Sequence, residues 1–178
     1  MNIGDWLRKW SELTPQKVAA IDNGHEFSYR ELNQRSNQVA NFLLQKGIGK
    51  GDRVGVLLYN CHEYLEIYFS LAKVGAIIVP LNWRMAPPET AHILNDCGAS
   101  YLFFGEDFSD TAIHVRDNVD QVINYISLGE GNVRWAENYH KIEACSSNEP
   151  TAFQEPIEGF GRLLKTPLVC SEIITLAD

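Results

Sequence analysis

Ile3, Trp6, Leu7, Trp10 and Leu13 recur at helical spacing, with Asp5, Arg8, Lys9 and Glu12 between them. A helix with one apolar face is therefore predicted over Ile3–Leu13, stopped by Pro15. The stretch "VAAIDNGHEFSY" then loses that period. It reads as two short strands around Asn23-Gly24, a dipeptide suited to the two positive-φ positions of a type I′ turn. Ser28 and Glu31 follow at capping-box spacing. Ser28 would accept from the Glu31 backbone while Glu31 reaches back, and this predicts a helix start. Leu32, Val39, Leu43 and Leu44 form its apolar stripe, and Gly47 closes it.

Beyond Gly47 short apolar runs alternate with helical patterns. Strands are predicted at residues 54–58, 77–81, 101–104 and 122–126. The helix His62–Val74 is expected to turn Leu65, Tyr68, Phe69 and Ala72 inward. A second begins at Pro87 or Pro88, where proline is tolerated, and runs to Gly98. Residues 109–116 and 135–144 are read as two more helices. Near-continuous apolar strands separated by helices predict an α/β fold: a parallel sheet covered by helices on both faces. After Ala144 the run "CSSNEPTAFQEPIEGFG" is polar and rich in proline and glycine. One domain is expected over residues 1–150, with 151–178 a divergent or poorly ordered tail.

A chain of 178 residues fits one domain. The net charge of −8 disfavours nucleic acid or an anionic membrane as partner. The longest apolar stretch, residues 76–81, is far too short to span a bilayer, so no integral membrane segment is expected. Charges at Asp5, Arg8 and Lys9 interrupt any secretory pattern. Cys61, Cys97, Cys145 and Cys170 form no Cys-x-x-Cys pair and read as reduced thiols, so a cytoplasmic location and no metal site are expected.

Several motifs have bland readings. Gly47, Gly49 and Gly51 follow a helix and precede a strand, the reverse of a phosphate-binding turn. "GFGRLLKT" (159–166) has Leu164 where a P-loop needs its second glycine. His25, His62, His92, His114 and His140 show no His-x-x-x-His spacing and read as surface or capping residues. Glu63 and Glu66 read as a solvated helix face. A response-regulator receiver needs acids at its strand ends, but these strands end in Leu58-Tyr59-Asn60 and Leu81-Asn82. Asn82-Trp83-Arg84 stands at a strand's carboxyl end, where open α/β sheets bind ligands. Arg84 suits a phosphate or carboxylate; the alternative is a loop arginine beside a tryptophan anchor.

"FSYRELNQRSNQVANFL" (27–43) and "GDRVGVLLYNCHEYLEIYFSLAKVGAIIVPLNWRMAPPETAHILNDCGASYLF" (51–103) carry a resemblance. They resemble the N-terminal part of the AMP-forming acyl-CoA synthetases, of the adenylate-forming superfamily, in their fatty-acyl-CoA ligase-like form. The resemblance covers roughly residues 1–150 and implies the first subdomain of that fold, truncated. It implies a family chemistry in which a carboxylate attacks ATP to give acyl-AMP, and coenzyme A then displaces AMP. ATP, Mg2+ and CoA are the cofactors of a complete member. The family's phosphate loop, magnesium-binding glutamate, ribose-binding aspartate and mobile lysine have no counterpart in this sequence. No catalytic residue and no cofactor are therefore expected for the chain alone, which is expected to be inactive. By resemblance Arg84 would meet a CoA phosphate. The expected partner is the remaining synthetase portion, or a second copy through self-association. The alternatives are one half of a split synthetase and a non-catalytic binding or interaction module.

Overall fold

The computed structural model describes residues 3–129, 131 and 133–151. In chain order the elements are α1 (Ile3–Leu13), β1 (Val18–Asp22), β2 (His25–Ser28), α2 (Tyr29–Gln45), β3 (Arg53–Leu57), α3 (His62–Val74) and β4 (Ile77–Pro80). They continue with α4 (Pro87–Cys97), β5 (Tyr101–Gly105), α5 (Ser109–Asn118), β6 (Asn124–Leu128) and β7 (Glu137–Asn138). Five strands form one sheet in the order β4-β3-β5-β6-β7, and every pairing in it is parallel. Among the described residues no helix is long and apolar enough to cross a membrane.

The sheet is buried on both sides, as its apolar strands require. Val54, Val56 and Phe103 pack with Val39, Leu43, Ile67 and Leu71 of α2 and α3. Leu57, Leu102 and Phe104 pack with Leu94, Ala112 and Val115 of α4 and α5. Gly55 lets α4 come close: a Cβ there would lie 2.6 Å from Leu94 Cδ2.

The N-terminal elements form a further layer outside α3. A Cβ on Gly4 would stand 3.0 Å from Lys73 Cα, so α1 lies almost against the α3 backbone. Trp6 stacks on Phe69 at 6.0 Å, and Trp10 on Tyr29 at 5.7 Å. The β1–β2 hairpin turns through Asn23 (φ 49°) and Gly24 (φ 80°), both positive as the type I′ turn demands. The Ser28–Glu31 capping box is formed in both directions.

Two expectations are corrected and a third is extended. Residues 135–144 are not an α-helix but β7 followed by a 3₁₀ segment, Tyr139–Ala144. Trp135 stacks on Phe104 on one side of the sheet, whereas Tyr139 and Ile142 enter the core on the other. A segment wrapping a sheet edge cannot keep a single helical face. The last long strand is Asn124–Leu128, two residues later than predicted, because Val119 and Val122 are buried in the preceding turn. In α3 the inward face is double: Ala72 is buried and Leu65 and Phe69 pack inward against α1 as expected, but the sheet is met by Ile67, Leu71 and Val74, which the sequence reading did not single out. The 159–166 motif and Cys170 lie outside the described residues.

Candidate functional site

β3 is followed by α3 on one face of the sheet, and its neighbour β5 by α5 on the other. Their carboxyl-end loops diverge, which makes this edge the switch point where open α/β sheets take ligands. Tyr59 after β3, Trp83 after β4 and Phe108 after β5 meet there. Tyr59 contacts Trp83 edge-on at 5.1 Å and Phe108 at 4.8 Å. Tyr59 and Trp83 remain 46% and 42% exposed, so this aromatic ledge is open to solvent.

Arg84 stands on that ledge. Its guanidinium lies 4.5 Å from the centre of the Trp83 ring, an arrangement in which the indole face attracts the cation. Its backbone N–H donates to Asn82 Oδ1 at 3.0 Å, so Asn82 shapes the turn that presents it. Arg84 is exposed, and among the described residues no carboxylate pairs with it. A fixed cation on an aromatic platform can take an anionic oxygen group.

A second polar constellation lies where the hairpin meets α2 and α3. His62, the first residue of α3, places Nδ1 2.8 Å from Asp22 Oδ2, and its backbone N–H donates to the same oxygen at 3.1 Å. Glu63 Oε2 lies 3.3 Å from His62 Nδ1. On the other side of the ring, Arg35 Nη2 is 3.2 Å from His62 Nε2. Arg35 also donates through Nε to Glu66 Oε1 at 2.6 Å, and the Tyr139 hydroxyl donates to Glu66 Oε2 at 2.7 Å. Phe27 stacks on the imidazole at 4.4 Å. An open groove of about 700 Å³ runs over Phe27, His25, Arg35 and His62.

Burial sets the charge balance of this network. It pushes the Glu66 carboxyl up, against Tyr139 and Arg35, which favour its charged form. It also pushes Asp22 up, but the bonds from His62 outweigh it and hold that carboxyl below its usual value. The Cys61 thiol is pushed up to about 12 by burial, and by Glu63 and Asp22 beside it. Such a thiol is inert as a nucleophile.

The structure brings Arg84 to the predicted sheet edge. It overturns the reading of Glu66 as solvated: that side chain is 2% exposed, between Arg35 and Tyr139. It also joins Asp22, His62 and Glu63, whose ligand atoms all lie within 4.8 Å of one another. Sequence reasoning missed this trio because Asp22 and His62 are 40 positions apart. The available signal was an acid just before a tight turn and a His-Glu pair opening a helix.

The profile of the family described as "AMP-binding enzyme" matches residues 7–160. A fatty acid–acyl-carrier-protein ligase of Streptomyces coeruleorubidus is 34% identical over 125 residues, which is 70% of this chain and 24% of that protein. A long-chain-fatty-acid–CoA ligase of Mycobacterium tuberculosis is 33% identical over 121 residues, covering 67% of this chain and 24% of its own length. The chain thus spans about a quarter of the length of these curated relatives. Among solved structures, an anthranilate CoA ligase in complex with anthranoyl-AMP superposes with a TM-score of 0.80 at 28% identity, over 83% of this chain and 29% of that one. A fatty acyl CoA synthetase of Mycobacterium tuberculosis gives 0.76, at 28% identity, over 86% of this chain and 30% of that one.

Proposed function

The chain belongs to the AMP-binding enzyme family, whose members include AMP-forming acyl-CoA and fatty acid ligases, and we propose that residues 1–150 act as the N-terminal subdomain of a ligase joining a fatty or related carboxylic acid to coenzyme A. In that reaction a carboxylate oxygen attacks the α-phosphorus of ATP and pyrophosphate leaves. The CoA thiol then attacks the acyl carbonyl, and AMP leaves. The observation that carries the reading is the family match over residues 7–160. Such a ligase would work in the cytoplasm, where ATP and CoA are at hand.

Within this reading Arg84 binds a phosphate of CoA. Its exposure, its seat on Trp83 and the absence of a carboxylate partner among the described residues support that role. Among the described residues ATP and Mg2+ find no comparable fit. The glycines at 47 and 51 have positive φ, but they lead into β3 rather than into a helix whose N-terminus could hold phosphate. The described residues therefore supply scaffold and a CoA contact. They hold no comparable set of groups to stabilise adenylyl transfer, and losing even one such donor typically costs about 2.7–4 kcal/mol.

The test has two arms. The 178-residue polypeptide should show no carboxylate-dependent ATP–pyrophosphate exchange, and exchange clearly above a no-enzyme control overturns the scaffold reading. When the same residues are joined to the remainder of a complete ligase, Arg84→Ala should raise the CoA KM and leave those for ATP and carboxylate unchanged. An unaltered CoA KM removes Arg84 from the site.

A further inference from the structure

We propose that Asp22, His62 and Glu63 form a site for a divalent transition-metal ion of the zinc type, which would pin the β1–β2 hairpin to the start of α3. Nothing in the ligase chemistry above requires it, and it shares no residue with the carboxyl-edge ledge.

One imidazole and two carboxylates suit zinc and its neighbours better than magnesium, which prefers oxygen alone. Two carboxylates also neutralise a doubly charged ion. Ligands about 2.0–2.2 Å from a zinc ion lie roughly 3–3.5 Å from one another. His62 Nδ1 stands 2.8 Å from Asp22 Oδ2 and 3.3 Å from Glu63 Oε2, close to that spacing. The two carboxylates offer oxygens within 4.8 Å of each other, which must draw together to share an ion with Nδ1.

The donors are also held in place. Asp22 ends β1 at the tight turn and accepts the His62 backbone N–H. The imidazole is stacked on Phe27. Asp22 and His62 line both the 700 Å³ groove and an adjoining cavity of about 230 Å³, so an ion can enter and a water can complete its shell.

Arg35 can only donate, so its contact at 3.2 Å makes His62 Nε2 an acceptor and leaves the ring hydrogen on Nδ1, facing Asp22. An ion at Nδ1 displaces that hydrogen, and the neutral ring carries it on Nε2 instead. Glu66 Oε1 stands 3.8 Å from Nε2, beyond hydrogen-bond reach in the ion-free chain, and a small turn of the ring brings the N–H to it. The ring would then sit in the carboxylate–histidine–metal arrangement that orients ligating imidazoles. Arg35 gives up its contact with the ring and keeps its bond to Glu66 at 2.6 Å.

The test uses the 178-residue chain freed of metal with a chelator, kept dilute, and titrated with Zn2+ in a calorimeter. Co2+ serves as a spectroscopic substitute and Mg2+ as a comparison. One Zn2+ per chain is expected, with visible cobalt bands and no matching Mg2+ binding. Glu63→Gln and Asp22→Asn should each weaken Zn2+ by about tenfold or more, and Glu66→Gln by about tenfold through the ring hydrogen bond. His140→Ala, which breaks a surface pair with Glu143, should change nothing. Glu63→Gln keeps its shape on a partly exposed side chain, so it decides the matter should another variant fail to fold. Absence of saturable Zn2+ binding, equal binding of Mg2+, or wild-type affinity in Glu63→Gln each overturns the site.

Discussion

Gly55 sits in mid-strand with no positive φ, so its conformational freedom is not what the position uses. Space is. A Cβ would meet Leu94 Cδ2 at 2.6 Å and Leu102 Cδ1 at 3.1 Å. Gly55→Ala is expected to cost about 1–3 kcal/mol by overpacking, read as a lower denaturant midpoint; an unchanged midpoint would mean α4 yields freely. Glu149 makes a different case. Its carboxylate meets the Lys73 ammonium at 2.8 Å and Asn33 Nδ2 at 2.7 Å, and Lys73 is buried. Burial pushes Glu149 up, but Lys73 and Asn33 outweigh it and hold the carboxyl below its usual value of 4.5. A depressed carboxyl contributes stability that is complete above its unfolded pKa and lost as pH falls through its folded one. Glu149→Gln should therefore destabilise the protein at pH 7, and the gap to wild type should narrow from about pH 5 downward. A gap that holds constant across that range would remove Glu149 as the source.

At the scale of elements, α2 is a binding strip as much as a core helix. Asn37 and Asn41, four residues apart, donate to the backbone carbonyls of Ser147, Ser146 and Asn148, and Gln38 donates to that of Glu143. These bonds hold residues 143–149 along the helix and bring Glu149 to Lys73. The helix start is set locally: Ser28 accepts the Glu31 N–H at 3.3 Å, and Glu31 accepts the Ser28 N–H at 2.8 Å. Ser28→Ala removes one half of this exchange and is expected to cost about 1 kcal/mol, measurable by thermal or denaturant unfolding. The capping box, the Asn23-Gly24 turn and the Pro87 helix start were legible in the sequence because each is settled by residues within four positions of one another. The course of residues 135–144 was not. Whether Trp135 and Tyr139 share a face depends on where the sheet edge lies, and the segment's own period carries no record of that.

For the whole molecule, the outer side of β4 has no strand beside it among the described residues. Its sequence, IIVP, carries no charge to discourage another strand, although Pro80 withholds one N–H from that edge. Ile123 and Leu13 add exposed apolar surface at 72% and 73%. The 178-residue polypeptide is expected to self-associate. Its net charge of −8 opposes this, but the repulsion is screened within about 8 Å at physiological salt. Size-exclusion chromatography with light scattering reads the outcome, and a monodisperse monomer at tens of micromolar would contradict it.

The sequence by itself determined the order of helices and strands as far as β6, the parallel doubly covered sheet, the hairpin turn and the loop that carries Arg84 to the sheet edge. Periodicity, caps and turn residues act over a few positions, and the apolar runs show that their strands are covered on both faces. Tertiary structure decided which groups meet. Glu66 is buried because Arg35 on α2 and Tyr139 beyond β7 converge on it. Leu65 and Phe69 turn from the sheet because α1 lies against the other side of α3. Asp22, His62 and Glu63 come together because a hairpin folds over a helix start 40 residues away, a distance at which no local pattern constrains side chains.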